Sequence, residues 1–343
     1  MPDYAAVIQF YEGLLQAVSS KTTVSNTRQY SIAGSNFIIH FIGIRYLPFF
    51  TLSIAHLETT EITGDFFTLY VVDASVADIQ LPPLFWRPED VADYDGAIGK
   101  MPPGLFAACI TEYQIIQFLH HTAKTGFYWM NNAAILQEWE SSFPFRSLFY
   151  QVFKQKGFLF IHAGAVGSLQ GGILLTGKGG TGKSTACLSA ILYSKLQYAG
   201  DDFICIHPQQ MIAFSLYNIA KLTEANITRF PALANGTDGL DGDKLQYFVH
   251  KKMPGKMVKQ FSVKAIFLPN FNTAHTTVTL TAASRQDAMK ALVPSSVWLV
   301  RAGDADIHQL GLLISRMPCY WLNTNENLSE IASVIENYIH ENA

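Results

Sequence analysis

Apolar residues are spaced unevenly along this chain, and each change of spacing marks an element. From Tyr30 to Ile54, Ile, Phe and Tyr recur between turn signals at Gly34-Ser35-Asn36 and Gly43. This predicts short strands of a mixed or antiparallel sheet, and so a β-rich N-terminal lobe. Residues 81–104 set Pro82, Pro83, Pro88, Pro102 and Pro103 among acidic residues, which predicts a long surface connection. Ser147 to Lys156 reads as a helix. Behind it come an apolar run from Phe158 to Ile161, a turn, a second run from Ile173 to Thr176, a glycine loop, and helical spacing from Ser184 to Ser194. Leu196 to Ile206 reads as a strand interrupted at Gly200-Asp201-Asp202, with further strands over Val263 to Leu268 and Val278 to Leu280. Near the C-terminus Leu328, Ile331, Val334, Ile335 and Ile339 share one helical face. Strands alternating with helices predict an α/β layer, so the chain is α+β overall, with a boundary near residue 150.

Composition narrows the class. The 343 residues carry 24 basic and 27 acidic side chains, a net charge of -3, which points away from nucleic acid and anionic membranes as partners. Charged residues make up 15% against roughly 25% in an average globular chain, so much of the surface must be buried. One core would be near its size limit, and two lobes are expected: 1–150, proposed for substrate recognition, and 151–343 for catalysis. Cys109, Cys187, Cys205 and Cys319 form no CxxC pair, and the first ten residues lack a basic-then-apolar signal. Free thiols in a reducing cytoplasm are the expectation. The most apolar stretch, Phe37 to Leu57, is broken by His40, Arg45, Pro48 and His56, so no membrane span is predicted.

The chemistry concentrates at Gly177-Lys178-Gly179-Gly180-Thr181-Gly182-Lys183-Ser184, which satisfies GxxxxGK[ST] between an apolar strand and a helix. Glycines let successive N–H groups turn inward around an anion, and the following helix aims its positive dipole end at the same point. ATP with Mg2+ is the implied guest. Lys183 would reach the β- and γ-phosphates, Ser184 would ligate the metal, and Thr185 begins the helix. Lys178 is either a further phosphate contact or a solvated loop lysine. Asp201-Asp202 closes the next strand. One carboxylate can hold magnesium, and the other can take a proton from an attacking hydroxyl if the strand bends at Gly200. The competing reading is a polar turn in which the acids cap backbone donors. His162 ends the strand before the loop, where a histidine is either structural or catalytic. The aromatic runs Phe85-Trp86 and Phe127-Tyr128-Trp129 suit a core better than a binding platform.

His162-Ala163-Gly164-Ala165-Val166, Gly171-Gly172-Ile173-Leu174-Leu175-Thr176 leading into the loop, and Tyr198-Ala199-Gly200-Asp201-Asp202 together resemble the catalytic domain of HPr kinase/phosphorylase. The resemblance is greater to the HPr kinase-like serine kinases of peptide natural products, lasso-peptide kinases among them. It covers about residues 157–343, includes Ser215 to Leu222, and extends weakly to Ala55-His56-Leu57 and Tyr128-Trp129. It implies a P-loop kinase domain of the HPr kinase/phosphoenolpyruvate carboxykinase type that moves the γ-phosphoryl group of ATP to a serine or threonine hydroxyl of a protein or peptide. By position, Lys183 contacts phosphate, Ser184 binds magnesium, Asp202 accepts the proton, His162 is the active-site histidine, and Asp201 supports metal or substrate. The family's LExRG-like acidic segment and C-terminal arginine have no clear match. Glu224 and one of Lys252, Lys256 or Lys259 are the candidates offered for them, and Lys221 is either a ligand of a phosphate or of the substrate carboxylate, or a surface lysine. The alternative function is a P-loop ATPase or a nucleotide-dependent switch or binding module without a hydroxyl acceptor, and a homo-oligomer is compatible with any of these.

Overall fold

A computed structural model describes residues 3–20, 24–92, 96–234, 236–300 and 303–343. The fold is mixed α+β, in two units: Met1–Thr51 with Leu57–Val152, and Leu52–His56 with Phe153–Ala343.

The first unit opens with a helix that the sequence reading did not anticipate, α1 (Tyr4–Ser19), whose Val7, Phe10, Leu14 and Val18 form one buried stripe. There follow β1 (Val24–Ile32), β2 (Ser35–Ile42), α2 (Pro48–Thr51), β3 (Phe66–Asp73), α3 (Ala74–Ala77), β4 (Leu105–Ile110), β5 (Ile115–His120) and β6 (Thr125–Met130). They make a sheet of order β1-β2-β3-β6-β5-β4, parallel at β2–β3 and β3–β6 and antiparallel elsewhere. Strands do not continue to Ile54: Pro48 starts α2 and Leu52–Leu57 is a 3-10 turn. Proline has no N–H for a ladder, and its fixed φ suits a first helical turn. Alternation divides the aromatic run between the two faces of the sheet. Phe127 and Trp129 join the α1 cluster, whereas Tyr128 lies 5.4 Å from Phe145 and 6.1 Å from Phe50. All three are fully buried. The proline-rich connection has no regular strand, but it buries Trp86 and Ile98 and pairs at Val91–Ile98 and Ala97–Ala108; its residues 93–95 lie outside the described residues.

The division between units falls inside α4 (Arg146–Gln155). Next come β7 (Leu159–Ile161), β8 (Gly164–Ser168), β9 (Gly171–Leu175), α5 (Lys183–Tyr193), β10 (Gln197–Gly200), β11 (Ile204–His207) and β12 (Ile212–Phe214). A small sheet is built from β13 (Ile219–Thr223), the turn α6 (Glu224–Ile227), β14 (Gly239–Asp241), β15 (Lys244–Phe248) and the turn α7 (Val249–Lys252). The chain ends with β16 (Gln260–Phe271), β17 (Thr279–Ala282), α8 (Arg285–Val300), α9 (Asp304–Arg316), β18 (Cys319–Thr324) and α10 (Leu328–Glu341). The main sheet runs β10-β8-β9-β16-β12-β11-β7, with β18 also on β16 and β17 on β18. Its central strands carry buried apolar runs, Ile173–Leu175 in β9 and Ala265–Leu268 in β16, because both faces are covered there. Ile173, Leu175 and Phe267 pack with α5 and α10, while Leu174, Ile266 and Leu268 pack with α8 and α9. Among the described residues no helix is long and apolar enough to cross a membrane.

Candidate functional site

Three segments reach one edge of the main sheet because of strand direction. β9 and β10 both run antiparallel to β8, with Leu175 opposite Gly164 and Gly200 opposite Ala165, so they run parallel to each other. The glycine loop after β9, the acids after β10 and His162 before β8 therefore emerge together. β16 is parallel to β9 and β18 to β16, so Phe271 and Thr324 end at the same edge. A cavity of about 220 Å³ opens there, lined among others by His162, Gly180, Lys183, Ser184, Asp202 and Lys221.

The loop has the backbone that its glycines allow. Gly180 and Gly182 sit at φ 82° and 100°, and Gly182 caps α5 with no side chain bonded to the helix start, which leaves first-turn N–H groups available to an anion. The Lys183 side chain is buried, and its Nζ donates to the carbonyls of Gly177 at 2.8 Å and Lys178 at 3.3 Å. Thr181 Oγ1 donates to the same Lys178 carbonyl at 2.9 Å. Gly179, Gly180, Gly182, Ser184 and Thr185 line the cavity; Gly177, Lys178 and Thr181 do not, and Lys178 is exposed.

The paired acids face different partners. β10 stops at Gly200, and the Phe203 N–H donates to the Asp201 carbonyl at 3.0 Å, closing a tight turn with Asp202 at φ 70°. A left-handed non-glycine residue costs on the order of 1–3 kcal/mol, a strain typical of functional sites. The bend resolves the alternation problem. Asp201 is buried beside the Ser184 side chain and takes the Asp202 N–H on Oδ1 at 3.1 Å. Asp202 faces the cavity: His162 Nε2 donates to its Oδ1 at 3.2 Å, and Lys221 Nζ lies 3.6 Å from its Oδ2. Burial acts to raise the Asp202 carboxyl, but the His162 hydrogen bond and the charges of Lys221, His162 and Lys244 hold it well below the usual range. Burial and then the Asp202 charge push Asp201 up, against Ser184, Lys183 and His162. The site thus separates an ionised, open carboxylate from a buried one that protonates more readily.

No protein-family model matches the sequence, and no curated protein does. Among solved structures, the chain is similar to the HPr(Ser) kinase/phosphatase from Coxiella burnetii, at 17% identity and a TM-score of 0.29, over 53% of this chain and 97% of that one.

Lys221 is not a surface lysine. It is 9% exposed and donates to Asp241 Oδ2 at 2.6 Å as well as facing Asp202. The Tyr198 hydroxyl donates to the Ile219 carbonyl at 2.7 Å, tying the strand before Asp202 to the strand that carries Lys221. Three further residues escaped sequence reading: Arg229 and Lys244 line the cavity, and Asp241 holds Lys221. They stand in a small antiparallel sheet and a turn without any motif, so only the pairing of β13 with β15, which sets Thr223 opposite Lys244, brings them in. The lysines expected to fill this place lie elsewhere. Lys252 and Lys256 donate to the carbonyls of Gly236 and Ser194, Lys259 neighbours His56, and Glu224 is exposed outside the cavity lining.

Proposed function

We propose that this chain is an ATP-dependent kinase that transfers the γ-phosphoryl group to a serine or threonine hydroxyl of a protein or peptide. The carrying observation is one cavity in which a glycine loop with a buried lysine meets an ionised carboxylate. The loop amides and Lys183 would bind the phosphates. Ser184 and Asp201, neighbours in the site, are hard oxygen donors fit for Mg2+. Among the described residues no cluster of three or more His, Cys, Asp and Glu could hold a metal, which suits an ion completed by phosphate oxygens and water. Bound there, magnesium would neutralise charge on the transferred group. Asp202 would orient the acceptor hydroxyl and take its proton as the oxygen–phosphorus bond forms and ADP leaves. A carboxylate held so far down is a weak base, but a loose transition state asks more of positioning than of early proton removal. His162 would keep the Asp202 carboxylate aimed.

Recognition of the acceptor by the first unit is part of this reading. That unit has its own cavity of about 560 Å³, lined by Arg45, Tyr46, Phe49, Val76 and Leu136 among others, within the roughly 300–1,000 Å³ usual for ligands. Incubation with labelled Mg·ATP and candidate Ser-bearing peptides tests the reading. Lys183→Ala should lose nucleotide binding, and Asp202→Asn should keep binding and lose transfer by on the order of 100-fold or more. Transfer by the Asn variant at the parental rate would remove Asp202 from its role, and rapid phosphate release without an acceptor would favour an ATPase.

A further inference from the structure

The sheet edge has a polarity that the phosphate chemistry alone does not use. Asp202 follows β10, two strands to one side of the loop strand β9, whereas Phe271 ends β16 and Thr324 ends β18 on the other side. At about 4.8 Å per strand, β10 and β16 are roughly 14 Å apart. A triphosphate held over β9 with its γ end toward Asp202 must send its nucleoside toward β16 and β18. There the cavity lining includes Phe271 at the end of β16 and Thr324 and Asn325 at the end of β18, with Arg229 beside Phe271.

Phe271 is a large aromatic side chain left 45% exposed at the end of β16, just past the buried run from Ala265 to Pro269. The Arg229 guanidinium carbon lies 5.8 Å from its ring centroid, and Arg229 Nη2 donates to the Glu326 carbonyl at 3.4 Å. The two form a ready platform of ring and cation, both in the cavity lining. Two nearby amide side chains are engaged in part: Asn325 Nδ2 donates to the His275 carbonyl, its Oδ1 accepts from the Asn327 N–H, and Asn226 Nδ2 donates to Thr223 Oγ1. What the site offers a base is a face to stack on more than an edge to read. The 220 Å³ volume falls below the roughly 300–1,000 Å³ of a pocket that encloses a whole ligand, so the base would rest half-open on this platform.

We propose that Phe271 and Arg229 form the nucleobase subsite of the donor, taking either purine by stacking with little discrimination between them. This rests on the reading of the loop as a nucleoside-triphosphate site. The test is calorimetric binding of Mg·ATP, Mg·GTP and Mg·tripolyphosphate to the full chain and to Phe271→Ala, Phe271→Trp and Lys183→Ala. Phe271→Ala should weaken ATP and GTP alike by about tenfold, in line with ordinary base–aromatic stacking, and leave tripolyphosphate unchanged, while Phe271→Trp restores both nucleotides. The unchanged tripolyphosphate affinity doubles as proof that the loop is intact. Unaltered ATP affinity in Phe271→Ala, an equal loss of ATP and tripolyphosphate, or a parental preference of 100-fold for one purine would each overturn the subsite while the parent still bound nucleotide. A parent that binds neither ATP nor tripolyphosphate, or a Lys183→Ala variant that binds both normally, removes the functional reading and the subsite with it.

Discussion

Lys221 stands between two carboxylates, 2.6 Å from Asp241 and 3.6 Å from Asp202, and its burial keeps water from screening either contact. Asp241 fixes the ammonium, and the ammonium helps to keep Asp202 ionised. Lys221→Met removes the cation at nearly constant volume. The ionised form of Asp202 is then less favoured, its carboxyl rises, and the acid limb of the pH–rate profile should move to higher pH as turnover falls. An acid limb that stays in place would show that Lys221 does not act through Asp202. At this scale the sequence was partly legible. Lys183, Ser184 and Asp202 announce themselves through a local motif, whereas Arg229 and Lys244 stand 46 and 61 positions beyond Lys183 with nothing nearby to distinguish them from solvated cations.

Between elements the decisive feature is how closely β8 approaches α5. A Cβ on Gly164 would lie 2.4 Å from Cys187 Sγ and 3.3 Å from Asp201 Oδ1, so this glycine is required by space. Gly164→Ala should lower stability by about 1–3 kcal/mol, the usual scale of overpacking, and should also shift the Asp201–Ser184 pair. Thermal melting with magnesium-dependent nucleotide binding would check both; an unaffected variant would mean that the helix can slide away at no cost. Some elements were plain in the sequence because their pattern is local: β9, α5 and α10 sit within a residue or two of their expected limits. Others were not. α8 contains Pro294, a residue that reads as a break, and α1 lies in a segment whose helical stripe becomes decisive only against the sheet face of Phe118 and Trp129.

For the whole molecule, connectivity matters more than any motif. Leu52–His56 interrupts the first unit and belongs to the second, where Asn218 grips it: its N–H donates to the Ser53 carbonyl, and its Nδ2 to Leu52, Ser53 and His56 Nδ1. With Nδ1 an acceptor, the His56 ring is neutral and its Nε2 donates to Ser215 at 2.6 Å. Burial, with the nearby charges of His250 and Lys259, lowers His56 to about 3. The unfolded chain therefore binds this proton first, near pH 6.5, and the stability contributed by neutral His56 is whole above that pH and shrinks as pH falls toward 3. Unfolding free energy should fall between pH 7 and 5, by up to about 1.4 kcal/mol per pH unit from this group alone, and the melting temperature with it. His56→Gln should be less stable at pH 7 but flatter with pH; an equal slope in both would assign the acid sensitivity to other groups.

What sequence by itself determined was whatever depends on neighbours along the chain: a glycine loop between strand and helix, a strand that can bend at Gly200, and helical stripes. Those features follow from backbone torsion and from periods of two and 3.6 residues, which need no knowledge of distant partners. Tertiary structure alone decided which charges converge on the loop, that Asp201 and Asp202 hold opposite protonation tendencies, and that Leu52–His56 serves the second unit. These depend on strand order and register, and one pairing such as β13 with β15 moves a charge from an anonymous surface position into the site, because electrostatic coupling is set by distance and burial in space and not by separation along the chain.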